Sequence, residues 1–112
     1  MKTEQKRLKI FEHGTNYICA YSKYDALRVL ADREGYPSYQ EYCLDYGYEC
    51  EDAVEMDPTE ALYVEFEGWY DVPEWLKTWA IENEEYRSRS FNMRAHQWAG
   101  IHPRGLVASE EQ

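Results

Sequence analysis

Two histidines near the carboxyl end of the sequence, His96 and His102, have the side chains best suited to proton transfer. Either imidazole could work with a carboxylate as a general acid–base pair. The chain holds 22 acidic residues, however, so a carboxylate close to a histidine is expected by chance. We therefore predict surface or turn positions for both histidines, no catalytic residue, and a protein that is not an enzyme.

The three cysteines, Cys19, Cys43 and Cys50, predict neither a nucleophile nor a metal site. Cys50 stands between Glu49 and Glu51, and acidic neighbours raise the pKa of a thiol and so disfavour the reactive thiolate. No short cysteine pair of the kind that binds zinc is present. We expect Cys19 to pack in the core, and we expect no metal and no cofactor.

Nucleotide-binding motifs and targeting signals are also missing from the sequence. The six glycines are scattered singly, so no glycine-rich loop could hold a phosphate. The basic start leads into no apolar stretch of signal-peptide or membrane-spanning length. Together with the odd number of thiols, this favours a reducing cytoplasm.

The net charge of −10 is unevenly spread along the 112 residues. Residues 1–31 carry a net charge of +3, and residues 87–112 carry +2. Residues 32–86 hold 17 acidic residues against only Arg33 and Lys77, a net charge of −15. Such a field repels nucleic acid and attracts basic surfaces, although acidity that serves only solubility is an alternative.

The centre of the acidic region alternates tyrosines with carboxylates. Tyrosine is enriched at interfaces, and carboxylates select arginine and lysine. These residues therefore predict a surface that binds a basic protein, without direct contact to nucleic acid or membrane. The alternative is that half of the tyrosines close the core and the acids are merely solvated. The predicted partner-binding residues are Tyr39, Glu41, Tyr42, Asp45, Tyr46, Tyr48, Glu49, Glu51, Asp52 and Glu55.

Local patterns in the first half of the chain predict the elements that carry this segment. Residues 8–12 and 17–21 form a hairpin with Leu8 and Ile10 on one side. Ser22 and Asp25 resemble a capping box that opens a helix over 23–34, with an apolar stripe of Tyr24, Leu27, Leu30 and Ala31. Ser38 and Glu41 open a second helix, which Gly47 ends.

The second half predicts two strands, two helices and an edge strand. Residues 53–57 and 61–67 are strands, the latter with Leu62, Val64 and Phe66 inward. Pro73 starts a helix that buries Trp75 and Trp79 and ends near Asn83. Asn92 caps a short helix carrying Met93, His96 and Trp98, and residues 106–109 add an edge strand.

These elements predict one α+β domain over residues 1–112: an antiparallel sheet of four to five strands with helices packed on one face. Residues 1–7 and 110–112 are expected to be flexible ends.

Two stretches resemble the accessory proteins of bacteriophages and prophages. The stretch NYICAYSKYDALRVL, residues 16–30, is similar to their strand–serine–helix opening, and RAHQWAGIHPRGLVAS, residues 94–109, to their closing helix and strand. In size and charge the chain resembles anti-CRISPR inhibitors. The resemblance implies an origin in a phage or mobile element. Together with the acidic, tyrosine-rich segment, it leads us to expect an inhibitor in the bacterial host cytosol that binds a basic nucleic-acid-handling protein, such as a CRISPR effector, as a docking partner or nucleic-acid mimic. The alternative is a phage regulatory or structural protein without an immune target, acting through protein contacts or as a homodimer through Trp69, Trp75 and Trp79.

Overall fold

A four-stranded antiparallel sheet lies at the centre of the computed structural model, which describes residues 7–47 and 53–109. Its strands are β1 (Lys9–His13), β2 (Asn16–Ala20), β3 (Val54–Glu55) and β6 (Gly105–Ser109), in the order β3-β1-β2-β6. The predicted hairpin, the α+β class and the last strand at an edge are confirmed. The expectations for residues 1–6 and 110–112 lie outside the described residues.

The hairpin of β1 and β2 divides the core into two parts. Gly14 turns the chain with a φ of +63°, a conformation that glycine adopts without steric cost. Ile10 lies opposite Cys19, and Phe11 lies opposite Ile18. Because successive side chains in a strand point to opposite faces, the first pair lies on one face of the sheet and the second pair on the other.

Two helices cover the face that carries Phe11 and Ile18: α1 (Lys23–Arg33) and α2 (Tyr39–Tyr46). Ser22 caps α1 by accepting a hydrogen bond from the Asp25 backbone N–H at 3.1 Å, as the capping pattern predicts. The buried side of α1 holds Leu27 and Leu30, whereas Tyr24, predicted to share their stripe, is 44% exposed. That prediction is wrong because Tyr24 lies at the edge of the helix face that meets the sheet.

The opposite face, which carries Ile10 and Cys19, packs against the second half of the chain. There β4 (Ala61–Glu65) pairs antiparallel with β5 (Ser90–Arg94), followed by α4 (Ala95–Ile101), while α3 (Glu74–Glu82) lies between the two strands in sequence. A short 3-10 helix, Trp69–Asp71, precedes α3. Trp98 of α4 is 1% exposed and donates its indole N–H to the Leu62 carbonyl at 2.8 Å.

Helices therefore pack on both faces of the central sheet, and not on one as expected. The reason lies in β1 and β2, where neighbouring residues such as Ile10 and Phe11 are both apolar. Both faces of these strands therefore need a cover that excludes water.

A second difference concerns Asn92, which does not cap a helix. It is an exposed residue in the middle of β5, where Phe91 and Met93 alternate inward. Trp75 and Trp79, predicted to be buried, are half-buried against the core, while Leu76 and Ala80 form the buried side of α3.

A partly buried ion pair joins the start of α1 to the approach to β6. The Arg104 guanidinium donates two hydrogen bonds to Asp25, from Nε at 3.0 Å and from the terminal nitrogen at 2.7 Å. Asp25 also accepts from the Tyr21 backbone N–H. The pKa of Asp25 is held below its ordinary value, and the hydrogen bond from Arg104 is the largest cause.

Candidate interaction surface

Helix α2 places part of the predicted partner-binding segment on the surface. Ser38 caps the helix by accepting from the Glu41 backbone N–H, and Gly47 ends it with a φ of +71°, so both predicted boundaries are confirmed. Only Tyr42 of this helix is fully buried. The remaining turns run along the outside of the molecule.

Three tyrosines interlock where α2 meets the loop that precedes it. The Tyr42 ring centroid lies 5.6 Å from that of Tyr36 and 5.0 Å from that of Tyr46. The Tyr36 and Tyr46 rings meet edge to face at 5.9 Å, a favourable arrangement for aromatic pairs. Tyr42 anchors this group in the core, and Tyr46, which is 49% exposed, carries it to the surface.

A carboxylate is fixed against this group. The Tyr36 hydroxyl donates a hydrogen bond of 2.7 Å to Asp45, and this bond is the main reason that the pKa of Tyr36 is raised. The Asp45 carboxylate keeps accepting capacity, because a carboxylate can accept about four hydrogen bonds. One turn earlier, Glu41 is also exposed.

The most exposed large apolar residue of α2 was not predicted as part of the segment. Leu44 is 81% exposed, next to Asp45. Helical spacing could have identified it, since a residue two positions from Tyr42 points to nearly the opposite side of a helix. We use the name tyrosine–acid surface for Tyr36, Glu41, Leu44, Asp45 and Tyr46.

The remaining predicted partner-binding residues lie elsewhere or are not described. Tyr39 is half-buried, and its ring packs 5.9 Å from that of Tyr24. Buried Tyr42 supports the surface from below. Glu55 lies on β3, where its carboxylate is 3.7 Å from the Lys9 ammonium. Four predicted residues fall outside the described part of the chain: Tyr48, Glu49, Glu51 and Asp52.

Cations are scarce around this surface because of the sequence itself. From Glu34 to Leu76, with both included, the sequence has 13 acidic residues and no lysine, arginine or histidine. Among the described residues, three of these acids have ion-pair partners: Glu34 with Arg33, Glu55 with Lys9, and Glu65 with Arg89. On α2 itself, no basic side chain balances Glu41 and Asp45.

Residues considered for catalysis or metal binding are dispersed. His96 is exposed on α4, whereas the His102 ring lies 4.7 Å from Trp75 and 6.4 Å from Trp98. Cys19 is buried, as predicted, and burial raises the pKa of its thiol to about 11, which disfavours the thiolate. Within residues 7–47 and 53–109, no group of three or more possible metal ligands comes together.

The tryptophans considered for self-association are largely occupied by the fold. Trp69, Trp75 and Trp79 are partly buried against the larger core cluster. Trp69 also meets Tyr86 edge to face at 5.3 Å and lies under the Lys77 ammonium. These contacts leave a reduced apolar area for a second copy of the chain.

No protein-family model matches this chain, and the comparisons found no significant match among characterised proteins or solved structures. In the described part of the chain, none of the helices combines the length and apolar composition needed to cross a bilayer.

Proposed function

We propose that this protein is an inhibitor of the anti-CRISPR kind, which docks its tyrosine–acid surface onto a basic groove of a nucleic-acid-handling protein in the bacterial host cytosol. The observation that carries the proposal is the pairing of exposed carboxylates with exposed apolar side chains on one short helix. Helical spacing places Glu41 and Asp45 between Leu44 on one side and Tyr46 on the other, without a basic residue among them.

The chemistry of this surface suits a partner that normally binds phosphates. Grooves for nucleic acid are lined by lysine and arginine, and carboxylates form short, charge-assisted hydrogen bonds with such side chains. Leu44 and Tyr46 add apolar contact area, which charged residues alone lack. Interfaces combine both kinds of contact, with aromatic anchors contributing most of the binding energy.

The rigidity of the surface also supports binding. Tyr46 is held by the rings of Tyr36 and Tyr42, and Asp45 is held by the Tyr36 hydroxyl. Side chains that are already ordered lose less conformational entropy when a partner binds. The tyrosine cluster therefore lowers the cost of docking as well as presenting the contact.

The direct test measures binding of the purified protein to CRISPR effector complexes, both single-protein and multisubunit, by surface plasmon resonance at 50 mM and 300 mM salt. We expect retention by an effector and a large loss of affinity at the higher salt, because screening weakens exposed ion pairs. The double variant Glu41→Gln, Asp45→Asn should bind at least about fivefold more weakly, as expected for two charged contacts.

A matched control removes the same amount of charge from another part of the molecule. Glu82, the last residue of α3, and Glu85, shortly after the helix, are both exposed. The double variant Glu82→Gln, Glu85→Gln should leave affinity nearly unchanged. Equal losses in the two double variants would show that only net charge matters and would contradict docking through α2. If neither effector class is retained, the CRISPR assignment is wrong.

A further inference from the structure

A groove of about 600 Å³ opens between the start of β1 and α4, away from the tyrosine–acid surface. Its apolar lining includes Ile10 and Met56, which are buried, and Ala95 and Ala99 of α4. Gly100 also lines the groove, and a Cβ atom added there would meet open space. A water-accessible cavity of this size with an apolar lining falls within the range of small-ligand sites.

The polar residues of the groove are two cations, an imidazole, a tyrosine hydroxyl and one carboxylate. Arg7, Lys9 and His96 lie along it together with Tyr21, which is 42% exposed. Glu55 is the only acidic residue among the described residues that line it. With Arg7 and Lys9 against Glu55, the lining carries a net charge of +1, an exception in a chain with a net charge of −10.

The fold creates this exception by joining the two basic ends of the sequence. Arg7 and Lys9 come from residues 1–31, with a net charge of +3, and His96 comes from residues 87–112, with a net charge of +2. The acidic middle contributes Glu55 and two uncharged residues, Met56 and Pro58. Charges within about 8 Å act on a bound group with little screening by physiological salt, so Arg7 and Lys9 act more strongly on a group at the rim than do acidic residues farther away.

We propose that this groove binds a small amphipathic anion, a molecule with an apolar body and one carboxylate, sulfonate or phosphate group. The apolar body lies against Leu8, Pro58 and Ala99, which keep accessible surface in the groove, and it displaces water from that apolar surface. The anionic group lies at the rim within reach of Lys9 and Arg7.

Glu55 allows a specific test of the proposal, because its charge should oppose anion binding. Its carboxylate lies 3.7 Å from the Lys9 ammonium, so it competes with a bound anion for that cation and repels the anion directly. Removing the Glu55 charge should therefore strengthen binding, whereas removing the Lys9 charge should weaken it. An apolar ligand without a charge should respond to neither change.

The test compares two fluorescent probes with nearly the same apolar body. 1-Anilinonaphthalene-8-sulfonate carries a sulfonate, and N-phenyl-1-naphthylamine lacks it. Titration of the full chain should show saturable binding of the sulfonate at one site per molecule, with a lower affinity for the neutral probe. Lys9→Gln should lower the affinity for the sulfonate probe by about two- to fivefold, the range for an exposed ion pair. Glu55→Gln should raise that affinity by a similar factor.

Gly100 offers a steric block that need not disturb the fold. Gly100→Trp places a ring in the groove and should abolish binding of both probes, while Gly100→Ala, the matched control, should leave binding intact. Circular dichroism and melting temperature establish that each variant is folded. Binding that survives Gly100→Trp in a folded protein, or that weakens in Glu55→Gln, would overturn the proposal.

Ligand binding in the groove and docking through the tyrosine–acid surface can be tested independently. Lys9 and Gly100 lie outside the tyrosine–acid surface, so their substitution should leave binding to an effector unchanged. Conversely, Glu41→Gln with Asp45→Asn should leave probe binding unchanged.

Discussion

The two faces of the central sheet are covered by different kinds of aromatic side chain. The face beneath α1 and α2 is rich in tyrosine, with Tyr36, Tyr39 and Tyr42 in or against its core cluster. The face beneath α3 and α4 is rich in tryptophan and phenylalanine, with Trp98 and Phe91 at its centre. A tyrosine hydroxyl needs a hydrogen-bond partner, and water or an acidic neighbour supplies it at the surface. The tyrosine face therefore extends to the exterior, whereas at the centre of the tryptophan face Trp98 finds its hydrogen-bond partner inside the protein, at the Leu62 carbonyl.

Trp98→Ala should have the largest effect on stability, since it empties the centre of the tryptophan face. Loss of a fully buried aromatic side chain costs about 3–5 kcal/mol of unfolding free energy, and the Leu62 carbonyl also loses the indole donor. Trp79→Ala, at a half-buried position, should lower the unfolding free energy by clearly less than Trp98→Ala. Urea denaturation measures both, and equal costs would show that the rim of this face is packed as tightly as its centre.

Asp25→Asn should have the next largest effect, because it weakens the link between the tyrosine face and the approach to β6. A hydrogen-bonded ion pair of this kind contributes about 1–2 kcal/mol after allowance for the partial exposure of Arg104. The pKa of Asp25 is lowered in the folded state. Its contribution is therefore complete above the ordinary aspartate pKa of about 4, and is lost as the pH falls through the lower folded value.

Urea unfolding of the wild type and of Asp25→Asn at pH 7 and pH 3 tests this linkage. The difference in unfolding free energy should shrink at the lower pH. A difference of the same size at both pH values would mean that the carboxylate acts through packing and not through charge.

His102 should produce a smaller, pH-dependent effect on the tryptophan face. Burial against Trp75 and Trp98 lowers its pKa below the ordinary value of 6.5. The unfolded chain then binds a proton at a higher pH than the folded chain, so stability falls as the pH drops below about 6.5. His102→Gln should remove this part of the pH dependence, measured by thermal unfolding between pH 5 and 8. Substitution of exposed His96 by glutamine is the control, and an equal change there would contradict the assignment.

Tyr46→Ala should have the smallest effect on stability and the largest on partner binding. The ring is half-exposed, so its loss should lower the unfolding free energy by about 1 kcal/mol or less. If the tyrosine–acid surface is the docking face, the same change should weaken partner binding by about 2 kcal/mol. Tyr42→Ala, at the buried neighbour, provides the contrast because it should mainly destabilise the fold. Normal partner binding by folded Tyr46→Ala would contradict the proposed face.

Local sequence signals predicted the helix boundaries well. Ser22 and Ser38 cap α1 and α2, and Gly47 adopts the left-handed conformation at the end of α2. Each of these features depends on hydrogen bonds or backbone angles within a few residues. These helix boundaries can therefore be predicted without knowledge of the tertiary structure.

Features that depend on distant contacts were predicted less well. The strand β5 was missed because it has only two inward apolar residues, Phe91 and Met93, next to an asparagine that favours helix caps. The two-sided cover of the sheet had a signal in the adjacent apolar residues Ile10 and Phe11. Consecutive apolar residues of this kind are typical of strands buried on both faces.

The two candidate sites also differ in whether their residues are close together in sequence. The tyrosine–acid surface lies within eleven residues of sequence, so its composition could be recognised. Helical spacing was also needed to predict that Tyr42 points inward and Leu44 outward. The groove combines Lys9, Glu55 and Gly100 from three separate parts of the chain. Only the fold brings them together, and no short pattern could have indicated it.

The link between Asp25 and Arg104 also governs when the protein can complete its structure during synthesis. The two residues are 79 positions apart, and β2 pairs with β6 in the same region. The ribosome delivers the first hairpin and α1 long before these partners exist, and such distant contacts form slowly because a long loop must close first. Until then, one edge of β2 offers unpaired backbone groups, which invite pairing with other chains. The pairing of β6 with β2 is therefore the step that removes this open edge and completes the sheet.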